Sequence, residues 1–194
     1  KRYFPVLPAG NDSLMQVVQS NPVGDVRTVM TGLVKALYMS KSYVYMQTPY
    51  FMPNSDFISA LKSAAMSGVD VRLMIPECSD NKVTDYASRS YLVDIMEAGV
   101  KVYLYTAGLL HSKTFVCDDN LCSVGSVNLD FRSFYYNFEV SAFVYGKDVA
   151  LALKENFFED MKSCRQLSLN GFMKGRSFKE RCLESVARLF SPLL

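Results

Sequence analysis

Residues 43–75 read YVYMQTPYFMPNSDFISALKSAAMSGVDVRLMI, and this stretch decides the fold. Aromatic and β-branched side chains at residues 43–48 predict a strand, which a short loop follows. Residues 55–66 have helical periodicity, and Gly68 suits the left-handed position that ends a helix. An apolar strand follows at residues 69–75. This order predicts two parallel strands joined by a right-handed crossover through a helix.

The same succession extends in both directions along the chain. Upstream, the pattern predicts a strand at residues 15–19 and a helix from about residue 26 to 39. Downstream, a predicted helix from about residue 84 to 98 ends at Gly99, and a strand follows at residues 100–105. The parallel arrangement is therefore expected to repeat.

The later part of the chain has a different order. Residues 111–117 and 121–124 are predicted strands, and the turn residues Asp118-Asp119-Asn120 between them indicate an antiparallel hairpin. Residues 138–145 are predicted to form another strand. We therefore predict an α/β fold in which a mixed β-sheet is sandwiched between helical layers.

Length and composition favour a single domain that spans residues 1–194. The chain is 49% apolar and carries a formal net charge of only +2. It has no run of 18 apolar residues and no secretion signal, and it begins with Lys1 rather than Met, so we expect a soluble fragment. The weak net charge argues against a nucleic-acid partner. Basic residues are in excess only from Arg165 onward, where the net charge is +4, against −2 in residues 1–164.

The cysteines are scattered and lack the paired CxxC spacing and companion histidines of a zinc site. We predict no metal and no cofactor. We interpret the thiols as reduced and mostly buried, with a bridge across the predicted hairpin between the second and third of them as the alternative. The five cysteines are Cys78, Cys117, Cys122, Cys164 and Cys182.

The only histidine of the chain opens the segment HSKTFVCDDNLCSVGSVN, residues 111–128. This segment fits the pattern HxK, four residues, D, six residues, GSxN. With ordinary residue frequencies, a chance match to six specified positions is rarer than about one in ten thousand. The six positions are His111, Lys113, Asp118, Gly125, Ser126 and Asn128.

These residue types suit chemistry on a phosphate diester. Alternate residues of a strand share one face, so His111 and Lys113 are predicted to project together and to be catalytic. A neutral imidazole can attack phosphorus or exchange a proton, and an ammonium group neutralises the charged phosphate oxygens. Ser126 and Asn128 follow Gly125, which permits close backbone approach, and are predicted to bind the same oxygens.

Two carboxylates accompany this cluster. Asp118 joins the predicted catalytic residues as the third member of the motif, although its place at a hairpin turn favours a structural role through side-chain hydrogen bonds. Glu139 lies on the strand face opposite Phe138 and Val140, where a carboxylate could orient the imidazole of His111. The alternative for Glu139 is an exposed carboxylate at the edge of a hairpin.

The motif is the signature of the phospholipase D superfamily, and four further segments resemble bacterial cardiolipin synthases. The resemblance spans almost the whole chain and implies a phospholipase D-like fold. It also implies that a glutamate at the spacing of Glu139 accepts the ring proton of the histidine. The segments are TPYFMP at 48–53, AAMSGVDVRLMIP at 64–76, NLDFRSFYYNFEV at 128–140 and ARLFSPLL at 187–194.

The resemblance further implies an enzyme with two halves that each carry an HxK motif and share one active site behind membrane-spanning helices. This chain corresponds to the C-terminal half. Such enzymes make cardiolipin from two phosphatidylglycerol molecules, release glycerol through a phosphohistidine intermediate, and need no metal. His111 is then either the nucleophile or the general acid. We expect the full-length protein at the bacterial cytoplasmic membrane, and this chain alone to be inactive without the N-terminal half or a second copy as a homodimer.

Two other functions are compatible with the motif. One is a phosphodiesterase that acts on nucleic acid as a homodimer, which the weak net charge disfavours. The other is a noncatalytic regulatory half, which the intact His111, Lys113, Ser126 and Asn128 disfavour.

Three more features invite interpretation. Tyr50, Phe51 and Met52 follow a predicted strand and could line a lipid entrance or pack as an ordinary loop. Arg132 is predicted to pair with Asp130 or, alternatively, with phosphate.

The third feature is the segment from about residue 177 to 190, which has the pattern of a basic amphipathic helix. Phe178, Cys182, Val186 and Leu189 form an apolar stripe. Such a helix lies on an anionic membrane surface or packs on the domain.

Overall fold

A computed structural model describes residues 13–24 and 26–193, in which a large mixed sheet carries helices on both faces. The strands are β1 (Leu14–Ser20), β2 (Tyr43–Gln47), β3 (Phe51–Met52), β4 (Asp70–Pro76), β5 (Lys101–Tyr105), β6 (Thr114–Cys117), β7 (Leu121–Gly125), β8 (Leu129–Asp130), β9 (Glu139–Tyr145) and β10 (Cys164–Gln166). The helices are α1 (Thr28–Met39), α2 (Ser55–Met66), α3 (Lys82–Glu97), α4 (Lys147–Met161), α5 (Leu169–Gly175) and α6 (Phe178–Leu189), with a π-helical turn at Arg132–Tyr136 and a 3₁₀ turn at Ser191–Leu193. The predicted domain also includes residues 1–12, 25 and 194, which lie outside this description.

The main sheet has eight strands in the order β1-β9-β7-β6-β2-β4-β5-β10. Strands β2, β4 and β5 are parallel, and the other neighbours pair antiparallel. The prediction of a mixed α/β sheet is therefore confirmed. A second sheet consists of β3 and β8, which pair in parallel and connect two segments that are far apart in sequence.

Each central strand of the main sheet contributes side chains to two apolar layers, because successive side chains point to opposite faces of the sheet. In β2, Val44 and Met46 face the core beneath α1, α2 and α3, whereas Tyr43 and Tyr45 face the core beneath α4. Helices α5 and α6 lie outside α3 rather than against the sheet. Among the described helices, none has both the length and the apolarity needed to span a bilayer.

Local signals in the sequence fix several helix ends. The side chain of Asn54 accepts a hydrogen bond from the Phe57 N–H at 3.2 Å and begins α2, and Gly68 ends the following turn at φ 90°. Helix α3 begins two residues before its predicted start, because Asn81 caps it by accepting from the Val83 N–H at 2.8 Å. Helix α6 agrees with the predicted segment, and Ser177 and Glu180 form a capping box at its start.

The prediction that the cysteines are mostly buried was wrong, since only Cys117 and Cys122 are buried, whereas Cys164 is partly exposed and Cys78 and Cys182 are exposed. All five thiols are free, and Cys117 and Cys122 are buried in opposite apolar layers, beneath α1 and beneath α4 respectively. The two residues cannot form the alternative bridge, because their side chains leave the sheet in opposite directions. Burial raises the pKa of the Cys117 thiol to about 12, so this thiol is not reactive near neutral pH.

Candidate functional site

The motif begins at the edge of the sheet where the parallel strands end. Thr114, the first residue of β6, pairs with Gln47, the last residue of β2. Buried Gln47 fixes this point, since it accepts from the Thr114 hydroxyl at 2.8 Å and donates to the Asp160 carboxylate at 2.7 Å. Ligands of open α/β sheets bind at this edge. The positioning role of Gln47 was not predicted from the sequence.

His111 and Lys113 lie just outside the sheet. The predicted strand from residue 111 was wrong in its start, because β6 begins at Thr114. Strand β2 ends at Gln47, opposite Thr114, so no residue of β2 lies opposite residues 111–113. His111 is exposed and therefore open to a ligand.

A backbone hydrogen bond positions the ammonium group of Lys113, and two carboxylates lie near it. Its Nζ donates to the backbone carbonyl of His111 at 2.8 Å, which places the cation beside the backbone of the histidine. Burial lowers the pKa of Lys113, while the carboxylates of Glu139 and Asp130 act in the opposite direction. Such a partly dehydrated ammonium interacts more strongly with an anionic ligand than a fully hydrated one.

Glu139 is buried, and its carboxylate is engaged by two side chains. The Ser126 hydroxyl donates to one oxygen, and Asn137 Nδ2 donates to the other at 3.1 Å. The alternative of an exposed carboxylate was wrong, since Glu139 is 9% exposed whereas Phe138 before it is 77% exposed. Among the described contacts, no hydrogen bond joins Glu139 to His111, so the structure brings Glu139 to Ser126 rather than to the imidazole.

Ser126 bonds to Val140 of β9 through both its side chain and its backbone. Its hydroxyl accepts from the Val140 N–H at 3.0 Å, and its own N–H donates to the Val140 carbonyl at 2.9 Å. Serine thus links the segment after β7 to Glu139. Its hydroxyl has a carboxylate partner in this structure, in contrast to the prediction that it faces phosphate directly.

Gly125 permits a close backbone approach, but the approach is that of a neighbouring strand. A Cβ at this position would lie 2.3 Å from the Val140 carbonyl oxygen and 2.6 Å from the Ser141 Cα. Both atoms belong to β9, so a larger residue would push β7 and β9 apart. Gly125 is therefore required for the packing of β7 against β9. The sequence analysis attributed the close approach at this glycine to phosphate binding, whereas the structure shows a close approach to β9.

Asn128 borders a pocket of about 310 Å³ next to the motif. The Asn128 Oδ1 atom is buried without a hydrogen-bond partner in the described part of the chain. Buried polar atoms without partners are rare and are often satisfied by a ligand or water. The pocket is lined by Tyr50, Met52, Asp80, Asn81, Thr84, Asn128, Asp130, Arg132, Asn137 and Leu193.

Arg132 brings an exposed guanidinium to this pocket. The predicted ion pair with Asp130 is absent from the described ion pairs, because the Asp130 carboxylate instead accepts from the Ser133 N–H at 2.7 Å. Burial raises the pKa of Asp130. The guanidinium is therefore available to an anion, which was the other interpretation of the sequence.

Asp118 lies at the opposite end of β6 from Lys113, roughly 16 Å away at the usual rise of a strand. Its carboxylate accepts from the backbone N–H groups of Lys41, Ser42 and Tyr43 at 2.8, 2.9 and 3.0 Å. The residue has φ 51° and begins the turn between β6 and β7. The structure therefore does not bring Asp118 to His111 and Lys113, and its contacts are those of the structural alternative.

The segment TPYFMP lies beside the segment NLD, a proximity that sequence spacing did not indicate. The Thr48 hydroxyl accepts from the Leu129 N–H at 3.1 Å, and strands β3 and β8 continue this contact. Phe51 and Met52 are 0% and 1% exposed, so both are core residues, although Met52 also borders the pocket. Tyr50 remains at the pocket, where its hydroxyl donates to Asp80 at 2.8 Å.

A family profile described as "Cardiolipin synthase, PLD-like domain" matches residues 33–161. Cardiolipin synthase from Clostridium perfringens is 42% identical over 179 residues, which are 92% of this chain and 37% of that protein. Cardiolipin synthase from Listeria monocytogenes is 40% identical over 193 residues, which are 100% of this chain and 40% of that protein. The chain thus spans about two fifths of the length of these curated relatives.

Solved structures show the same fold. Phosphatidylserine synthase from Haemophilus influenzae matches with a TM-score of 0.73 at 15% identity, over 93% of this chain and 48% of that chain. Nuc, a phospholipase D family member from Salmonella typhimurium, matches with a TM-score of 0.67 at 22% identity, over 80% of this chain and 99% of that chain. The match to the family profile covers more than half of the chain, and the chain belongs to the cardiolipin synthase family of phospholipase D-like domains.

Proposed function

We propose that the protein containing this chain is a phosphatidyltransferase that makes cardiolipin from two phosphatidylglycerol molecules and releases glycerol. The observation that carries the proposal is the placement of the Lys113 ammonium beside the backbone of exposed His111, at the ligand-binding edge of the sheet. The adjoining pocket offers the guanidinium of Arg132 and the unpartnered amide oxygen of Asn128. A phosphate diester and a polyol headgroup match this set of groups.

The proposed reaction has two steps. One histidine nitrogen attacks the phosphorus of phosphatidylglycerol while a second histidine gives its proton to the departing glycerol oxygen, so a phosphorus–nitrogen bond replaces a phosphorus–oxygen bond. A hydroxyl of a second phosphatidylglycerol then attacks the phosphohistidine and returns its proton to the second histidine. His111 takes one of these two roles, and Lys113 stabilises the negative charge on the phosphate oxygens.

We assign the remaining motif residues according to their contacts. Glu139 positions Ser126, and Ser126 carries the hydrogen bond to β9 that holds the Asn128 segment in place. Direct orientation of His111 by Glu139 stays a prediction. The unpartnered Oδ1 of Asn128 can accept from a hydroxyl of the polyol headgroup, while phosphate binding by its amide N–H stays a prediction. We propose that Asp118 acts at a distance by fixing the far end of β6.

The chain supplies one of two half-sites in this proposal. It has one histidine, whereas the two-step transfer uses two. Phosphatidylserine synthase of H. influenzae is about twice as long as the region matched here, which supports a second unit of similar size in longer relatives. The partner is the N-terminal half of the full-length protein or a second copy of this chain, and the site of action is a membrane surface.

The test uses the full-length protein with phosphatidylglycerol vesicles. Thin-layer analysis should show equal amounts of cardiolipin and glycerol, and His111→Ala should abolish both. Lys113→Ala should lower the rate at least about 100-fold, as removal of a charged stabilising group does. Lys101→Ala is the matched control, since Lys101 pairs with Asp70 at the opposite edge of the sheet.

Two results would contradict the proposal. Cardiolipin formation by His111→Ala at the parental rate would remove the histidine from the mechanism. Equal losses in the Lys113 and Lys101 variants would show that the effect of Lys113 is not local. Mass spectrometry after rapid quenching in cold neutral denaturant, which preserves the acid-labile phosphorus–nitrogen bond, would detect a phosphatidyl adduct in the parent. The same measurement with His111→Ala would separate the nucleophile from the general acid.

The alternative function is a phosphodiesterase that acts as a homodimer. The match to Nuc over 99% of its chain favours this alternative, because Nuc has the length of a single unit. The alternative requires a dimer of this chain and cleavage of a phosphodiester by water rather than transfer to a second lipid. Phosphatidic acid instead of cardiolipin, or cleavage of DNA by a dimeric chain, would establish it.

A further inference from the structure

Helix α6 packs on α3 through a face that is not its apolar stripe. Its buried residues are Glu184 and Ala187, which are 3% and 6% exposed. At 3.6 residues per turn, these two residues lie on the side of the helix opposite to Phe178 and Leu189. The apolar stripe predicted from the sequence is therefore present, but it points away from the domain.

We call this stripe the outer face of α6, and it consists of Phe178, Cys182, Val186 and Leu189. Phe178, Val186 and Leu189 are 75%, 53% and 78% exposed, and Cys182 is also exposed. The four residues fall within an arc of about 80° around the helix. An apolar stripe of this length facing water is unusual on a soluble domain and indicates a surface that something covers.

Directional contacts hold the helix in this orientation. Arg176 pairs with Glu184 at 2.6 Å, with side chains only 12% and 4% exposed. Arg188 donates to Asp94 at 3.0 Å and lies over the ring of Tyr91 at 4.4 Å. A rotation that buried the outer face would break both charged contacts and leave the buried Glu184 carboxylate unpaired, which is costly.

The outer face is bordered by positive charge and leads to the candidate site. Exposed Lys179 and Arg181 lie on either side of it along the helix. Beyond the helix, the exposed side chains of Phe190 and Leu193 continue the apolar surface. Leu193 is also a lining residue of the pocket that contains Arg132 and Asn128, so an exposed apolar residue that follows α6 lies at the border of the proposed headgroup site.

We propose that the outer face of α6, extended by Phe190 and Leu193, inserts at the interface of an anionic bilayer and presents the pocket to lipid headgroups. The choice of a membrane as occupant rests on the proposed function. Apolar residues flanked by Lys and Arg are the pattern of helices that lie in the plane of a membrane containing acidic lipids. The bilayer would accept the apolar side chains while the basic ones reach the headgroups.

The chain lacks tryptophan, so a single introduced Trp reports its own environment. Leu189→Trp should shift its emission to shorter wavelength with phosphatidylglycerol vesicles and should be quenched by brominated acyl chains. Met66→Trp is the matched control, because Met66 is 75% exposed at the end of α2, just before β4 begins at the opposite edge of the sheet. The control should show neither effect.

Binding strength tests the same surface by sedimentation. Val186→Asp combined with Leu189→Asp should weaken binding to phosphatidylglycerol vesicles at least tenfold, and Lys179→Gln with Arg181→Gln should weaken it severalfold. Vesicles of phosphatidylcholine alone should bind the parent at least tenfold less tightly, since they lack net negative charge. Circular dichroism of each variant establishes that it is folded.

Three outcomes would overturn the proposal. The first is unchanged vesicle binding by the Val186→Asp, Leu189→Asp variant, and the second is an equal spectral shift in the Met66→Trp control. The third is a concentration-dependent dimer that the same variant disrupts, which would assign the outer face to a second copy. Vesicle binding requires no turnover, so insertion by an enzyme that makes no cardiolipin would refute the proposed function alone.

Discussion

Replacement of Asp118 by alanine should destabilise the protein far from the candidate site. The Asp118 carboxylate accepts three backbone N–H groups at the start of β2, and its own backbone has φ 51°. Alanine would remove the acceptor and place an ordinary side chain in a left-handed conformation. The strand that leads from the motif would lose its attachment to β2 at this end.

The magnitude follows from these two effects. Hydrogen bonds to a charged group contribute about 1.5–3 kcal/mol each, but water can replace the carboxylate at the exposed N–H groups of Lys41 and Ser42, so about 2–3 kcal/mol is expected for the set. The left-handed conformation adds about 1–2 kcal/mol for a residue other than Gly, Asn or Asp. The free energy of unfolding should therefore fall by about 3–5 kcal/mol.

Urea unfolding of the chain, followed by far-ultraviolet circular dichroism, measures this change. With a slope of about 2 kcal/mol per molar urea, the midpoint should fall by about 1.5–2.5 M. Asp118→Asn is the control, because asparagine tolerates the left-handed conformation and retains one oxygen for the N–H groups of Ser42 and Tyr43. Its midpoint should fall by less than half as much.

A stability change of Asp118→Ala below about 0.5 kcal/mol would refute the structural role. If such a stable variant also failed to make cardiolipin in the full-length protein, the carboxylate would belong to the chemistry after all. A loss of stability in Asp118→Ala that Asp118→Asn largely restores would instead separate the turn from the reaction.

Three further predictions concern single residues. Gly125→Ala should lower the free energy of unfolding by about 2 kcal/mol or more, since its Cβ would lie 2.3 Å from the Val140 carbonyl oxygen; an unchanged urea midpoint would contradict this packing. Burial lowers the pKa of Lys113, so its charge costs the folded state stability below that pKa, and the cost disappears as the pH rises toward the ordinary value of 10.5. Lys113→Met should therefore be at least as stable as the parent at pH 7, and the difference in unfolding free energy should shrink by pH 10.5; a growing difference would be inconsistent. A chromogenic disulfide reagent should modify exposed Cys78 and Cys182 in the native chain but reach the buried thiols of β6 and β7 only after unfolding, so rapid native titration of all five thiols would disprove the burial.

The sequence predicted the elements with local signals and failed where distant segments meet. Helix α2, with Asn54 at its start and Gly68 after its end, could be predicted because both signals lie within the helix or next to it. Strands β3 and β8 are two residues long, too short for periodicity to register, and their pairing joins residues almost 80 positions apart. Helix α4 was not predicted, although it covers a whole face of the sheet.

The candidate site was predicted to a similar degree. The spacing of the motif selected His111 and Lys113, and the structure places both just before β6, next to the end of β2, while their catalytic role stays a prediction. Spacing could not show that Ser126 turns to Glu139, because that contact depends on how β7 and β9 cross at Gly125. Nor could it show that Arg132 is free of Asp130, because a backbone N–H in the following turn takes the carboxylate.

The edge strand β1 has a consequence for how the chain is made. Its residues pair with β9 across the sheet, and Ser20 at its end lies opposite Glu139. A ribosome adds about 5–20 residues per second, so β1 emerges roughly 6–25 s before its partner is complete. During that interval, its apolar side chains and open hydrogen-bonding edge are available to other chains, and we expect chaperone dependence and aggregation during synthesis to be governed by this strand.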